Sequence, residues 1–262
     1  MTTILLPRQP HSEFLAKLRT IGLGLGARGA VGLGLATQRG GAAVPYSTKI
    51  LNLFGSALVG YYPLSETSGT TVFDASGNSR NGALSGSYTL AAEGIGDGGT
   101  AIEFNAGQAS IYDGLRVGSP WDIFAEGSIF GWMQIIDSAV WSDWAMRCIA
   151  SVQSDWATSL AHKVGKGHVP DTVRYTLGPP SYIDYAVGHP TDWHHIGVAW
   201  SQAANKTYLY WDGVAVGNCA WISLAATYTQ VLVSDVFKGR LAHVAFLNRA
   251  MTSGEMLIAA TL

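Results

Sequence analysis

Short stretches of alternating apolar and polar residues recur through most of the chain. In residues 193–200, Trp-His-His-Ile-Gly-Val-Ala-Trp, successive side chains fall on opposite faces of a strand. Clusters of Gly, Asn, Asp, Ser and Pro separate such stretches, a pattern that is typical of an antiparallel β-sandwich. Besides an aromatic strand at Tyr61, it predicts strands at residues 101–104, 111–117, 128–136, 146–152, 173–177, 193–200, 206–211, 214–217, 230–233 and 239–247.

Local signals fix a few element ends. Asp212-Gly213 lies between two strand-like runs and suits the positive φ values of a two-residue hairpin turn. Ser47 is expected to cap a short helix that runs to Phe54 and ends at Gly55. The adjacent His194 and His195 would point to opposite faces of their strand and therefore could not easily share a metal ion.

Residues 1–45 have a different pattern. Ser12 can cap a short amphipathic helix, and Ile21-Gly-Leu-Gly-Leu-Gly-Ala is then echoed by Val31-Gly-Leu-Gly-Leu-Ala-Thr. Glycine at every second position disfavours a helix, whereas in an extended chain the leucines share one side. The segment is either an extended arm that is ordered against a partner or a flexible leader. As an arm, its expected partner-binding residues are Phe14, Leu15, Leu18, Leu23, Leu25, Arg28, Leu33 and Leu35.

Composition adds to this picture. Charged residues make up 13% of the chain, against roughly 25% in typical soluble domains, while 48% are hydrophobic. Such a chain is better suited to an assembly, and we expect a homo-oligomer. Residues 1–65 carry six cations and one acid, too dilute a patch to predict nucleic-acid binding. The apolar run 21–36 is interrupted by Arg28 and is too short for a membrane span, and we expect no secretory signal.

Four motifs, in the same order, resemble a laminin-G-like, concanavalin A-like jelly-roll domain. They are Tyr-Tyr-Pro-Leu through Asn-Gly at residues 61–82, the Trp-His-His run at 193–200, the Tyr-Leu-Tyr-Trp-Asp-Gly hairpin at 208–213, and residues 237–256, a closing strand with a terminal helix. The resemblance implies an all-β, antiparallel two-sheet jelly-roll sandwich over residues 46–262, preceded by the arm at 1–45. Proteins with this fold act as lectins, enzymes or structural modules.

Catalytic signals are lacking in the sequence. The Glu-x-Asp-x-Glu strand of glycosidases with this fold is missing, and Glu103 and Glu126 are isolated acids. No phosphate loop, nucleophile elbow or zinc-binding helix is found, so we expect a non-enzymatic protein. His162 and His168 flank two lysines and are interpreted as solvent-facing loop residues. Cys148 and Cys219 are either free thiols or one disulfide.

The resemblance also suggests a structural calcium ion and no other cofactor. Asp74-Ala-Ser-Gly-Asn78 resembles the loop that supplies calcium ligands in laminin-G-like domains, so Asp74 and Asn78 are candidate metal ligands. Ala242 stands where relatives often carry an acid. The alternative is that Asp74 and Asn78 hydrogen-bond their own backbone in an Asx-type turn.

Nine tryptophans are many for a chain of this length. Four of them lie next to polar residues and are candidates for sugar stacking: Trp121, Trp141, Trp144 and Trp156. Packing in the core or between subunits would explain the same rings without a ligand.

Two functions from different classes follow. In the first, the chain is a bacteriophage virion protein, made in the host cytoplasm and docked to other virion proteins of the capsid or tail through its arm. Phage proteins of this kind resemble residues 46–64, where Tyr-x-x-x-Ile-Leu leads into Tyr-Tyr-Pro-Leu. In the second, it is a carbohydrate-binding module of a bacterial surface or secreted protein. A host glycan is a candidate ligand in both cases.

Overall fold

The computed structural model describes residues 44–105, 115–118, 125–153, 161–178, 181–221 and 230–262. These residues form three α-helices: α1 (Tyr46–Phe54), α2 (Ala139–Ser142) and α3 (Ser253–Ala259). They also form sixteen strands, β1 to β16 in chain order: Leu58–Tyr62, Thr71–Val72, Gly82–Ala83, Tyr88–Glu93, Thr100–Asn105, Leu115–Gly118, Glu126–Gln134, Arg147–Gln153, Ala161–Lys166, Thr172–Gly178, Ser181–Ala186, His194–Ser201, Lys206–Trp211, Val214–Cys219, Gln230–Asp235 and Lys238–Leu247.

The strands lie in two antiparallel sheets of eight strands each among these residues. Sheet A has the order β14-β13-β12-β7-β16-β5-β4, with β1 also paired to β16. Sheet B has the order β11-β10-β9-β8-β15-β6-β3-β2. This architecture confirms the predicted all-β antiparallel two-sheet sandwich.

Two apolar clusters explain why the strands of sheet A are buried on both faces. The first cluster lies between the sheets and includes Tyr62, Tyr175 and Trp200. The second lies on the other face of sheet A, where α1 and α3 pack, and it includes Tyr61 and Phe130. Neighbouring residues of one strand therefore enter different cores, as the period of two requires.

Both helices on sheet A depend on local sequence. The α1 helix follows Pro45 and ends at Gly55 (φ 48°), but it has no side-chain cap, so the expected Ser47 cap does not form. The α3 helix has a capping box in which Thr252 and Glu255 bond each other's backbone N–H groups. A Cβ atom at Gly197 would lie 2.6 Å from Met256 Sδ, so the missing side chain gives Met256 of α3 its place against β12.

The predicted hairpin is confirmed. Strands β13 and β14 meet at Asp212 and Gly213, which have φ values of 48° and 77°. The predicted terminal strand and helix are also present as β16 and α3.

One loop prediction is wrong. Residues 161–166 form β9 in the middle of sheet B rather than a solvent-facing loop. His162 and Lys166 are both buried, whereas His168, beyond the strand, is exposed. The alternation of His162, Val164 and Lys166 toward the interior was hidden because two of these three side chains are polar.

Candidate functional site: an exposed tryptophan at one end of the sandwich

Trp144 is the most exposed aromatic side chain among the described residues. It is 72% exposed, ahead of Phe73 at 60%. It lies in the Trp144 loop (residues 143–146), which connects α2 to the first residue of β8, and its indole N–H forms no hydrogen bond to any residue that the structure describes. A large amphipathic ring with a free donor is therefore presented to solvent.

Three charged residues hold this loop and form the Asp143 ion cluster: Asp143, Arg147 and Lys166. Asp143 Oδ2 accepts hydrogen bonds from Arg147 Nε (3.0 Å) and Nη2 (2.5 Å), and Oδ1 accepts one from Lys166 Nζ (2.9 Å). Lys166 is 0% exposed, and its ammonium group also donates to the carbonyl oxygens of Asp143 and Ala145. A buried lysine is thus fully satisfied by the loop that carries Trp144.

The cluster keeps Asp143 ionised. Burial alone would raise the pKa of its carboxyl, but the hydrogen bonds from Arg147, Lys166 and the Ala145 N–H outweigh burial and hold this pKa below its ordinary value. The carboxylate therefore bonds two cations and its own loop at once, and this network ties the loop backbone to β8 and β9.

Neighbouring loops add to this support. His168 Nδ1 donates to the carbonyl oxygen of Trp144 at 3.1 Å, and Asp171 N donates to the carbonyl oxygen of Trp141 at 3.0 Å. His189 Nε2 lies 2.5 Å from Asp171 Oδ1. Polar side chains from the β9–β10 and β11–β12 connections therefore lie at the same end of the sandwich as the exposed ring.

The four candidate tryptophans do not form one platform. Trp141, three residues before Trp144, is 1% exposed and donates from Nε1 to the carbonyl oxygen of Pro190 at 2.8 Å. Its ring is unavailable to a ligand, so the packing alternative holds for it. Trp121 and Trp156 lie outside the described residues, as do the predicted partner-binding residues of the arm, Phe14, Leu15, Leu18, Leu23, Leu25, Arg28, Leu33 and Leu35.

In the candidate calcium loop, both carboxylate oxygens of Asp74 already accept hydrogen bonds. Asp74 Oδ1 accepts from the N–H groups of Tyr61 (3.0 Å) and Ser76 (2.9 Å), and Oδ2 accepts from Arg80 N (3.0 Å). Asn78 Nδ2 donates to the carbonyl oxygen of Leu58 at 2.8 Å. Asp74 therefore has the geometry of the Asx-type alternative, whereas the side chain of Asn78 bonds the backbone of the distant Leu58 rather than that of its own turn. Calcium binding at Asp74 and Asn78 stays a prediction.

The other candidate groups are mostly structural. His194 Nδ1 lies 2.8 Å from Asp212 Oδ2, while His195 is buried on the opposite face, where burial lowers its pKa to about 3. Glu103 is paired with Arg240 at 3.0 Å. In the ranges that the structure describes, no cluster of three or more His, Cys, Asp or Glu residues could hold a metal ion.

Neither cysteine forms a disulfide bond, and Cys148 is buried while Cys219 is partly exposed. The free-thiol alternative therefore describes this structure. None of the described helices is long and apolar enough to cross a membrane.

The sequence did not reveal what supports Trp144. The four-residue spacing of Asp143 and Arg147 was visible, but Lys166 is 23 residues from Asp143, and its burial depends on the pairing of β8 with β9.

Comparisons with known proteins extend the fold assignment. No protein-family model and no curated protein sequence matches the chain. Among solved structures, it is similar to the botulinum neurotoxin serotype D binding domain, with a TM-score of 0.58 and 12% identity over 78% of this chain and 51% of that one. It is also similar to the binding domain of Paraclostridial Mosquitocidal Protein 1, with a TM-score of 0.59 and 13% identity over 78% and 52% of the two chains.

The botulinum neurotoxin type G receptor-binding domain gives a TM-score of 0.57 at 11% identity over 78% of this chain and 50% of that one. The chain thus spans about half the length of these proteins. At such low identity the likeness shows the fold, a β-sandwich shared with binding domains of toxins.

Proposed function

We propose that the chain is a non-enzymatic binding module that recognises a carbohydrate through Trp144. The observation that carries the proposal is an indole ring that is 72% exposed on a loop held by a buried ion cluster. Exposing so large a ring gives the folded chain little hydrophobic stabilisation and leaves the ring accessible to a ligand.

The geometry suits a sugar. An indole face contacts the apolar C–H face of a pyranose ring, while its N–H and nearby polar groups can bond sugar hydroxyls. His168 and Asp171 provide such groups on the neighbouring loop. Because the Asp143 ion cluster already fixes the loop, little conformational entropy is lost when a ligand binds.

The structural neighbours support a binding role. The three similar structures compared above are binding or receptor-binding domains of toxins, which fits the module hypothesis better than the virion hypothesis. The virion hypothesis rests on residues 1–45 and on a resemblance to phage proteins, and no phage link emerges from the comparisons. A virion location and assembly through the arm stay predictions.

A glycan array with the full chain tests the proposal. We compare the wild type with Trp144→Ala and with Phe73→Ala, which removes a similarly exposed ring (60%) from the end of β2. We expect the wild type and Phe73→Ala to bind the same glycans. Trp144→Ala should lose roughly 2 kcal/mol of binding free energy, about thirtyfold in Kd, as expected for a central aromatic contact.

Two outcomes would overturn the proposal. One is a wild-type chain that binds no glycan on the array. The other is glycan binding that Trp144→Ala leaves as strong as Phe73→Ala does, because the ligand would then lie elsewhere.

A further inference from the structure

A concave site lies at the end of sheet A opposite the Trp144 loop. The Tyr208 pocket has a volume of about 320 Å³ and is bordered by the β12–β13 turn, by β13 and by the chain that leads into α3. Its principal residues are Ala199, Lys206, Tyr208, Tyr210, Thr252 and Ser253. Ligand pockets range upward from roughly 300 Å³, so this one suits a single small ring.

The register of sheet A creates the hollow. Ala199 on β12 pairs with Tyr208, and Gly197 pairs with Tyr210, so two small residues lie beside two large rings on the outer face. Met256 of α3 covers Gly197, whereas Ala199, itself buried, lines the hollow beside Tyr208. Tyr208 remains 38% exposed as one wall, whereas Tyr210 is buried.

Polar groups with spare hydrogen-bonding capacity line the hollow. The Tyr208 hydroxyl forms no hydrogen bond within the described residues, and Ser253 Oγ has only a long contact of 3.4 Å with the Tyr210 hydroxyl. Thr252 is different, because its hydroxyl is saturated by Glu255 in the capping box. An aromatic wall with free hydroxyls beside it is the chemistry that binds a sugar ring.

The cation at the rim sets the charge of the ligand. Lys206 Nζ donates to Asn218 Oδ1 at 3.2 Å and forms no ion pair with any described residue. Two acids lie near: Glu255 is paired with Arg249 at 2.6 Å, and Glu126 accepts from Ser201 Oγ at 2.8 Å from outside the pocket lining. Lys206 is therefore the ionised group that lines the hollow, held in place by a neutral amide.

We propose that the Tyr208 pocket binds a monosaccharide that carries a carboxylate, with the sugar ring against Tyr208 and the carboxylate on Lys206. This site is independent of the Trp144 loop. The indole at the other end is exposed on a loop, whereas this half-open pocket holds one ring against Tyr208 and selects it by charge.

The test is calorimetric titration of the full chain with glucuronic acid and, separately, with glucose, which has the same ring without the carboxylate. We expect glucuronic acid to bind the wild type at least about tenfold more tightly, the effect of one charge-assisted contact. Lys206→Gln should remove that preference and leave glucose binding within twofold. Lys238→Gln removes the same charge at the opposite end of sheet A and should change neither titration.

A second variant keeps the test valid if Lys206→Gln disturbs the turn. Ala204→Glu adds an acid at the exposed rim and should abolish glucuronic acid binding while the thermal midpoint stays unchanged. Trp144→Ala should leave it intact, which separates this proposal from the first. The proposal is overturned if the wild type binds neither sugar, if it binds both equally, or if Lys206→Gln retains the preference.

Discussion

The two ends of the sandwich use charge in opposite ways. At the Trp144 end, the cations Arg147 and Lys166 are buried and bonded to Asp143, and the exposed group is a neutral ring. At the Tyr208 end, the exposed cation Lys206 has no acidic partner among the described residues, and the rings form the walls. The length of β12 separates the two ends, since His194 begins this strand and Ser201, the partner of Lys206, ends it.

The difference shows what each arrangement can do. At the first end the charges pair with one another and hold the loop backbone, so specificity there comes from the shape of the exposed ring and from stacking on it. The cation at the second end has no acidic partner among the described residues and can pair with an anionic ligand, so specificity there comes from charge.

Asp143→Ala should have the largest effect. It leaves Arg147 and Lys166 buried without their carboxylate, and removing one partner of a buried ion pair costs about 3–5 kcal/mol. Chemical denaturation should show this loss of unfolding free energy. Asp192→Ala, which removes an exposed acid with no ion pair to any described residue, is the control and should leave the midpoint unchanged. Equal midpoints for the two variants would mean that the cluster does not support the loop.

Acid should lower the unfolding free energy of the protein through two buried histidines that lie between the two ends. Burial lowers the pKa of His162 and of His195 from 6.5 to about 3. Below pH 6.5 the unfolded chain therefore binds protons that the folded chain does not, so stability is full above pH 6.5 and falls as the pH falls toward 3. Each histidine should cost roughly 2 kcal/mol between pH 7 and pH 5.

The variant His195→Phe isolates one of these contributions. Both ring nitrogens of His195 are buried and form no hydrogen bond with any described residue, and the ring lies against Phe130 and Trp132. Unfolding free energies measured at pH 7, 6 and 5 should fall less steeply in the variant than in the wild type. Parallel slopes would show that His195 does not titrate in this way.

Glu255→Ala should have a smaller effect at the Tyr208 end. Glu255 closes the capping box of α3 and binds Arg249, which lowers its pKa to about 2. Because this pKa is depressed, the contribution is present above pH 4.5 and disappears as the pH falls toward 2. We expect a loss of about 1 kcal/mol at pH 7, measured by urea denaturation. A loss as large as that of Asp143→Ala would remove the contrast between the ends.

Trp144→Ala should have the smallest effect on folding. Its side chain is mostly in water, so the unfolding free energy should change by less than about 0.5 kcal/mol. Thermal unfolding followed by circular dichroism measures this change. A large loss would mean that the indole belongs to the packing of the protein rather than to a ligand site.

The sequence predicted the elements whose signals are local. Asp212-Gly213 contains its own turn geometry, and the alternation of residues 193–200 places each side chain on the correct face of β12. The sequence could not separate Trp141 from Trp144, because both follow the same short apolar run. Pro190, which receives the Trp141 indole N–H, is 49 residues away.

The same reason explains the error at β9. A lysine such as Lys166 indicates a solvent-exposed position in any local pattern. Its burial is favourable only because of its pairing partners on β8 and the carboxylate of Asp143. Long-range contacts therefore determined the support of the candidate site, whereas the Tyr208 pocket combines a local hairpin with a distant segment, the chain that leads into α3.

The most direct test of the central claim is an NMR titration that follows the indole N–H resonances of Trp144 and Trp141. The glycan that binds best on the array is added to the full chain labelled with ¹⁵N. We predict that the Trp144 resonance shifts with the binding curve while that of Trp141, bonded to Pro190, stays in place. Saturable binding without a shift of the Trp144 resonance would contradict the account.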